Sequence, residues 1–113
     1  LYPHMKRKLP HYLRSQRLRI GLSQEDVAAL LGLRTAGKVS RYERRRRLPP
    51  LETALAYEVI FGNPVSDLFG GMYDAIRREV RRRARRRAGR LQRAKNSFLL
   101  ARRKESLRAV ASR

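Results

Sequence analysis

The sequence predicts an all-α fold, a compact five-helix domain followed by a long basic C-terminal helix. Three observations predict it. No segment alternates apolar and polar residues long enough to form a strand. Glycines and prolines cut residues 9–70 into short blocks, each with apolar residues at helical spacing. Beyond Tyr73 apolar or small residues recur every three or four positions in an arginine-rich segment.

The elements follow in order. Pro10 opens a first helix, and Tyr12, Leu13, Gln16, Leu18 and Ile20 supply its apolar face up to the stop at Gly21. Ser23 caps the second helix, with Asp26 three residues on at capping-box spacing; Val27, Ala28, Leu30 and Leu31 are expected to point inward until Gly32 ends it. A third helix is predicted from Thr35 or Ala36 to Arg46, anchored by Val39 and Tyr42. Pro49-Pro50 breaks the chain, Pro50 suiting the first turn of a fourth helix that carries Leu51, Ala54, Leu55, Val59 and Ile60 to Gly62. Asn63-Pro64 turns into a short fifth helix with Val65, Leu68 and Phe69. Gly70-Gly71 is the expected hinge or helix stop. It divides the chain into a basic N-terminal arm (1–8), the five-helix domain (9–70) and an Arg-rich helical tail (72–113).

Composition narrows the partner. The chain has 113 residues, with 29 Lys and Arg against 9 Asp and Glu, a net charge of +20. Such a surface seeks a polyanion. Residues 1–73 hold 13 basic and 6 acidic side chains, residues 74–113 hold 16 and 3, so the tail is a separate electrostatic object. There is no cysteine, hence neither a disulfide framework nor a thiolate zinc site. No apolar run reaches the roughly 18 residues of a membrane span, and a cytoplasmic protein, nucleoid-associated when bound to DNA, is the expectation. His4 and His11 have no cysteine or acidic cluster beside them, and Ser15, Ser23 and Ser40 lack a base with an orienting acid. No cofactor, metal or catalytic constellation is expected.

Several ordered motifs carry a resemblance. Leu13-Arg14-x-x-Arg17, Gly21-Leu22-Ser23-Gln24, Val27-Ala28-x-x-Leu31-Gly32, Val39-Ser40-Arg41-Tyr42-Glu43, Pro49 with Leu51-Glu52-Thr53, and Gly62-x-Pro64-Val65 occur in this order. Residues from about Leu13 to Phe69 therefore resemble the lambda-repressor/Cro-like helix-turn-helix domain of the xenobiotic-response-element family. The resemblance implies a second helix across the DNA backbone and a third in the major groove, often within a dimer on two half-sites. One departure stands out. Between Gly32 and Val39 this chain has one residue more than the usual pattern, so the turn, or the first turn of the third helix, is expected to be longer.

Counted back from Val39-Ser40-Arg41, the family's base-facing positions correspond to Ala36, Gly37, Lys38 and Arg41. Lys38 and Arg41 are the expected readers, since both donate to guanine O6 and N7. Gly37 has no side chain, and either relieves the extra residue or allows close backbone approach. The resemblance gives Gln24 a phosphate contact, where a helix N-terminus also favours an anion. Arg34, Thr35, Arg44, Arg45, Arg46 and Arg47 are further candidates for the phosphates, against the alternative of a solvated face. Arg17 and Glu43 match positions that pair between the first and third helices in some family members. Tyr42 and Tyr57 read as core aromatics.

In the tail, Ile76, Val80, Ala84, Ala88, Leu91, Ala94, Phe98 and Ala101 keep the coiled-coil period, but alanine dominates the seam and arginine fills the remainder. Dimerisation, tracking of a nucleic-acid backbone, and disorder stay open for it. The expected function is a sequence-specific transcriptional regulator, a repressor, bound to double-stranded DNA as a homodimer. An antitoxin or adaptor with a protein partner on the tail, and a non-specific DNA or RNA binder, are the alternatives. An enzyme is not expected.

Overall fold

A computed structural model describes residues 11–91 and 98–113. The expected arm at 1–8, Pro10, His4 and Ala94 lie outside the described residues. Among these the chain is helical, without strands: α1 (Leu13–Arg19), α2 (Gln24–Leu30), α3 (Gly37–Glu43), α4 (Leu51–Phe61), α5 (Val65–Leu68), α6 (Gly70–Leu91) and α7 (Phe98–Ala111). It forms two compact units that divide after Tyr73, inside α6.

In the N-terminal unit the punctuation acts as the sequence predicts. Asp26 N–H donates to Ser23 Oγ (3.0 Å) and Ser23 N–H to Asp26 Oδ2 (2.9 Å), closing the capping box. Those two Ser23 contacts hold the Asp26 carboxyl below its ordinary pKa. Helices α1 and α2 end at Gly21 (φ 77°) and Gly32 (φ 74°), a left-handed conformation that glycine adopts without a Cβ clash.

Leu13, Val27, Val39, Tyr57 and Leu68 are fully buried at the centre, joined by Tyr42, Phe61 and Phe69. Each such side chain contributes about 1.5–3 kcal/mol by leaving water. Tyr57 stacks on Phe61 at 5.5 Å and meets Tyr42 edge-on at 6.4 Å.

Several inward faces differ from expectation. On α1 it is Leu13 and Arg17 that are buried, while Tyr12, Leu18 and Ile20 are exposed, because α1 turns its Arg17 face toward α3. On α2 Val27 and Ala28 are buried and Leu30 is exposed. On α4 Ala54, Tyr57 and Phe61 face the core, leaving Leu51, Leu55 and Val59 in solvent. That helix is apolar almost all round, and the two aromatic rings, with their larger area, take the inward face. Pro50 is the N-cap of α4 rather than a residue of its first turn. Helix α3 stops at Glu43, three residues short of the expected end.

Gly70 and Gly71 do not stop a helix; they begin α6, where Tyr73 N–H already donates to Phe69 O (2.8 Å). Glycine costs little there because first-turn N–H groups make no intrahelical bond.

In the C-terminal unit α6 supplies the expected long basic helix, but the seam does not run on to Ala101. Ala84, Ala88 and Leu91 are buried as predicted, whereas Phe98 and Ala101 are exposed and Leu100 and Lys104 are buried in their place. The chain forms a second helix, α7, antiparallel to α6. Arg77 Nε donates to Arg113 O and Arg81 Nε to Ala111 O, each at 2.8 Å. These guanidiniums cap the negative end of α7, whose last carbonyls have no intrahelical partner.

Candidate nucleic-acid interface

The recognition element is built from α3 outward. Val39 is fully buried and Tyr42 nearly so, which fixes the inner face. At about 100° per residue, Gly37 and Arg41 then fall on the opposite side; both are exposed. A Cβ placed on Gly37 would lie 3.7 Å from the Arg41 guanidinium, so Arg41 lies over the bare backbone of the preceding turn. Lys38 is exposed on one flank, at the rim of a cleft shared with Leu31, Leu33, Tyr42, Arg47 and Glu52. Ala36 is the N-cap, half-buried and packed against the core. Arg34 and Thr35 are exposed in the α2–α3 connection, Leu31–Ala36, which holds Thr35 outside the helix.

The position of α3 is set by one side-chain network. Arg17 Nε donates to Glu43 Oε2 at 2.6 Å and its Nη2 to Glu43 Oε1 at 3.0 Å, while Nη1 donates to Leu22 O. The Arg17 and Glu43 side chains are only 10% and 3% exposed. Pairing with Glu43 raises the Arg17 pKa further. Gln24 Nε2 adds a third donor to Glu43 Oε1 (3.2 Å), so α1, α2 and α3 meet on one carboxylate. The Arg17–Glu43 pair implied by the resemblance is present. An amide nitrogen has two N–H donors, so Gln24 keeps one beyond that network.

His11 adds a second fixing point that sequence reasoning missed. Its Nε2–H donates to Tyr42 O (2.8 Å) at the end of α3, and its ring meets Phe69 edge-on at 5.8 Å. Burial pushes its pKa below the ordinary value, against the Tyr42 hydrogen bond; Nδ1 is buried without a partner.

The end of α3 is the most unusual backbone of the unit. Arg45 N–H donates to Tyr42 O and Arg46 N–H to Arg41 O, both at 3.0 Å. This is the two-bond termination that Gly21 and Gly32 make after α1 and α2. Here the left-handed residue is Arg45, at φ 60°, the one non-glycine with positive φ among the described residues. No sequence signal marks it, since the glycine that normally announces such a turn is missing. Arg44, Arg45, Arg46 and Arg47 are all exposed, in a turn rather than on the helix as expected.

From Arg34 to Arg47 the chain thus presents seven exposed cations, and its one acid, Glu43, is withdrawn into the pair with Arg17. Electrostatically this surface accepts phosphates. Among the described residues no three His, Cys, Asp or Glu side chains are placed to hold a metal, and no helix is long and apolar enough to cross a membrane.

Residues 9–64 match a family described as a helix-turn-helix domain. No curated protein and no solved structure matches the chain. The matched segment contains the capped α2, the connection, α3 and the residues that lock them together. Residues 9–64 are accordingly a helix-turn-helix DNA-binding domain of the kind found in regulators of the xenobiotic-response-element type.

Proposed function

We propose that this chain is a sequence-specific transcriptional regulator, a repressor that occupies its operator as a homodimer with α3 in the major groove. One observation carries the reading: Gly37 and Arg41 form the outward face of a helix whose inner face and C-terminal end are locked by Val39, Tyr42 and the Arg17–Glu43 pair. Arg41 donates to guanine O6 and N7, Lys38 donates beside it, and Gly37 with the edge of Ala36 lets the backbone approach the bases. Gln24, Arg34, Thr35 and Arg44 to Arg47 hold phosphates and set the register. Such a regulator acts at the nucleoid.

Charge supports the homodimer. No Lys or Arg occurs between Arg47 and Arg77, and within that stretch Leu51, Leu55 and Val59 are exposed four residues apart along α4. Two copies of a +20 chain meet there without opposing arginines. Leu55→Glu should return a dimer to monomer in sedimentation; a dimer that withstands it places the interface elsewhere.

The deciding experiment is selection of bound duplexes from a random library with the full chain and with Arg41→Ala. An enriched motif containing a G·C pair is expected, with that pair relaxed in the variant by about 1–3 kcal/mol. Unchanged preference would refute the assignment of the reading face. No enrichment from the full chain would favour the second reading, a sequence-independent nucleic-acid binder, which the charge of residues 74–113 supports.

A further inference from the structure

The C-terminal unit carries charge that its own fold does not use. Arg77 and Arg81 turn inward to the end of α7, and Arg82 and Arg83 pair with Glu79. With Ala84, Ala88 and Leu91 buried, helical geometry puts Arg78, Arg82, Arg86 and Arg90 on the outer side of α6, and all four are exposed. Their four-residue spacing makes a straight row about 18 Å long, with one guanidinium every 6 Å or so. Like charges four apart repel and destabilise a helix. An anion laid along the row removes that repulsion.

A second feature continues the same surface. Arg87, Arg102, Arg103 and Ser106 line a groove between α6 and α7, together with Leu99 and Leu107. Three guanidiniums and a hydroxyl converge there on a space bordered by no acidic side chain. Arginine's planar fork is suited to phosphate oxygens.

We infer that α6 and α7 form a second nucleic-acid site, which grips the DNA phosphodiester backbone without reading sequence through the outer α6 row and the adjoining groove. The inference deepens the reading above, from which it takes DNA as the anion. DNA matches the row in density as well as sign, with one charge per about 1.7 Å of duplex axis. The recognition element then supplies sequence choice, and this unit supplies affinity and its salt dependence.

The test uses the full chain and a variant in which Arg78, Arg82, Arg86 and Arg90 are all glutamine, titrated against a short mixed-sequence duplex over a range of salt. Glutamine is a good helix former and relieves the like-charge row, so the variant's far-UV helicity should persist. Four lost phosphate contacts should lower the slope of log K against log salt by about 3.6. A companion variant with lysine at all four positions should keep the parent slope. Motif preference in the random selection should be the same for all three chains. An unchanged slope in the glutamine variant overturns the inference, and so does a loss of slope in the helical lysine variant. Preferential loss of RNA binding with DNA binding intact also overturns it. Failure of the recognition reading appears separately, as an Arg41→Ala variant whose preference does not move.

Discussion

Replacing Arg45 by glycine should separate stability from DNA affinity. Arg45 holds φ 60° in a turn whose hydrogen bonds, Arg45 N–H to Tyr42 O and Arg46 N–H to Arg41 O, are both 3.0 Å. A side chain in that left-handed conformation costs about 1–2 kcal/mol. Glycine removes the clash but loses more backbone entropy on folding, about 0.5–1 kcal/mol. The net expectation is a gain of about 0.5–1 kcal/mol. For a domain of 60–100 residues each kcal/mol moves the midpoint by about 4–8 °C, so Tm should rise by roughly 2–8 °C. The assay is near-UV tyrosine circular dichroism of the full chain. All five tyrosines lie within residues 1–73, so the signal follows the N-terminal unit alone. Duplex affinity should fall in the same variant, the salt slope dropping by about 0.9 for one lost phosphate contact. Arg45→Ala is the control, because it loses the same guanidinium but keeps the strained φ; its affinity should fall without a gain in Tm. Equal midpoints for the glycine and alanine variants would refute the argument from backbone strain.

The Arg17–Glu43 pair is expected to be destabilising when halved. Arg17→Met or Glu43→Leu alone should cost about 3–5 kcal/mol by leaving a buried charge, and the double variant should recover most of it; additive losses in tyrosine-monitored melts would contradict this. Tyr57 has a buried hydroxyl without a partner, and burial pushes its pKa far up. Tyr57→Phe should therefore keep the core and hold or raise stability by about 1 kcal/mol, whereas a clear loss in denaturant titration would mean that the hydroxyl is satisfied. Burial, with Arg45 nearby, lowers the His11 pKa below 6.5, against the weaker influences of Tyr42 O and Glu43. The unfolded chain then takes up a proton where the folded chain does not, so this contribution is present above about pH 6.5 and is lost as pH falls through the folded pKa. Tm measured between neutral and mildly acid pH should fall in the parent and less in His11→Gln; parallel curves would exclude His11 as the cause.

The sequence alone determined the punctuation of the N-terminal unit. Ser23 with Asp26, Gly21 and Gly32 act through bonds a few residues long, so their outcome is local and survives whatever packs around it. It determined the segment that contains the recognition helix, and the Arg17–Glu43 pair, through motifs whose spacing the resemblance carries. Exposure of Lys38 and Arg41 follows directly from the burial of Val39 and Tyr42 on a 3.6-residue helix.

Only the tertiary structure decided which apolar residues are inside. Leu18, Ile20, Leu30, Leu51, Leu55 and Val59 are as apolar as the residues that were buried, and on a helix such as α4 the period does not choose a face; competition for one small core does, and Tyr57 and Phe61 take it. It also decided the end of α3, where an arginine accepts the conformation usually left to glycine, and the fixing of that end by His11. In the tail, burial of Leu100 and Lys104 in place of Phe98 and Ala101 turned the rest of the predicted seam into a second helix. Local signals are written in neighbouring residues, whereas these outcomes depend on contacts between residues far apart in the chain.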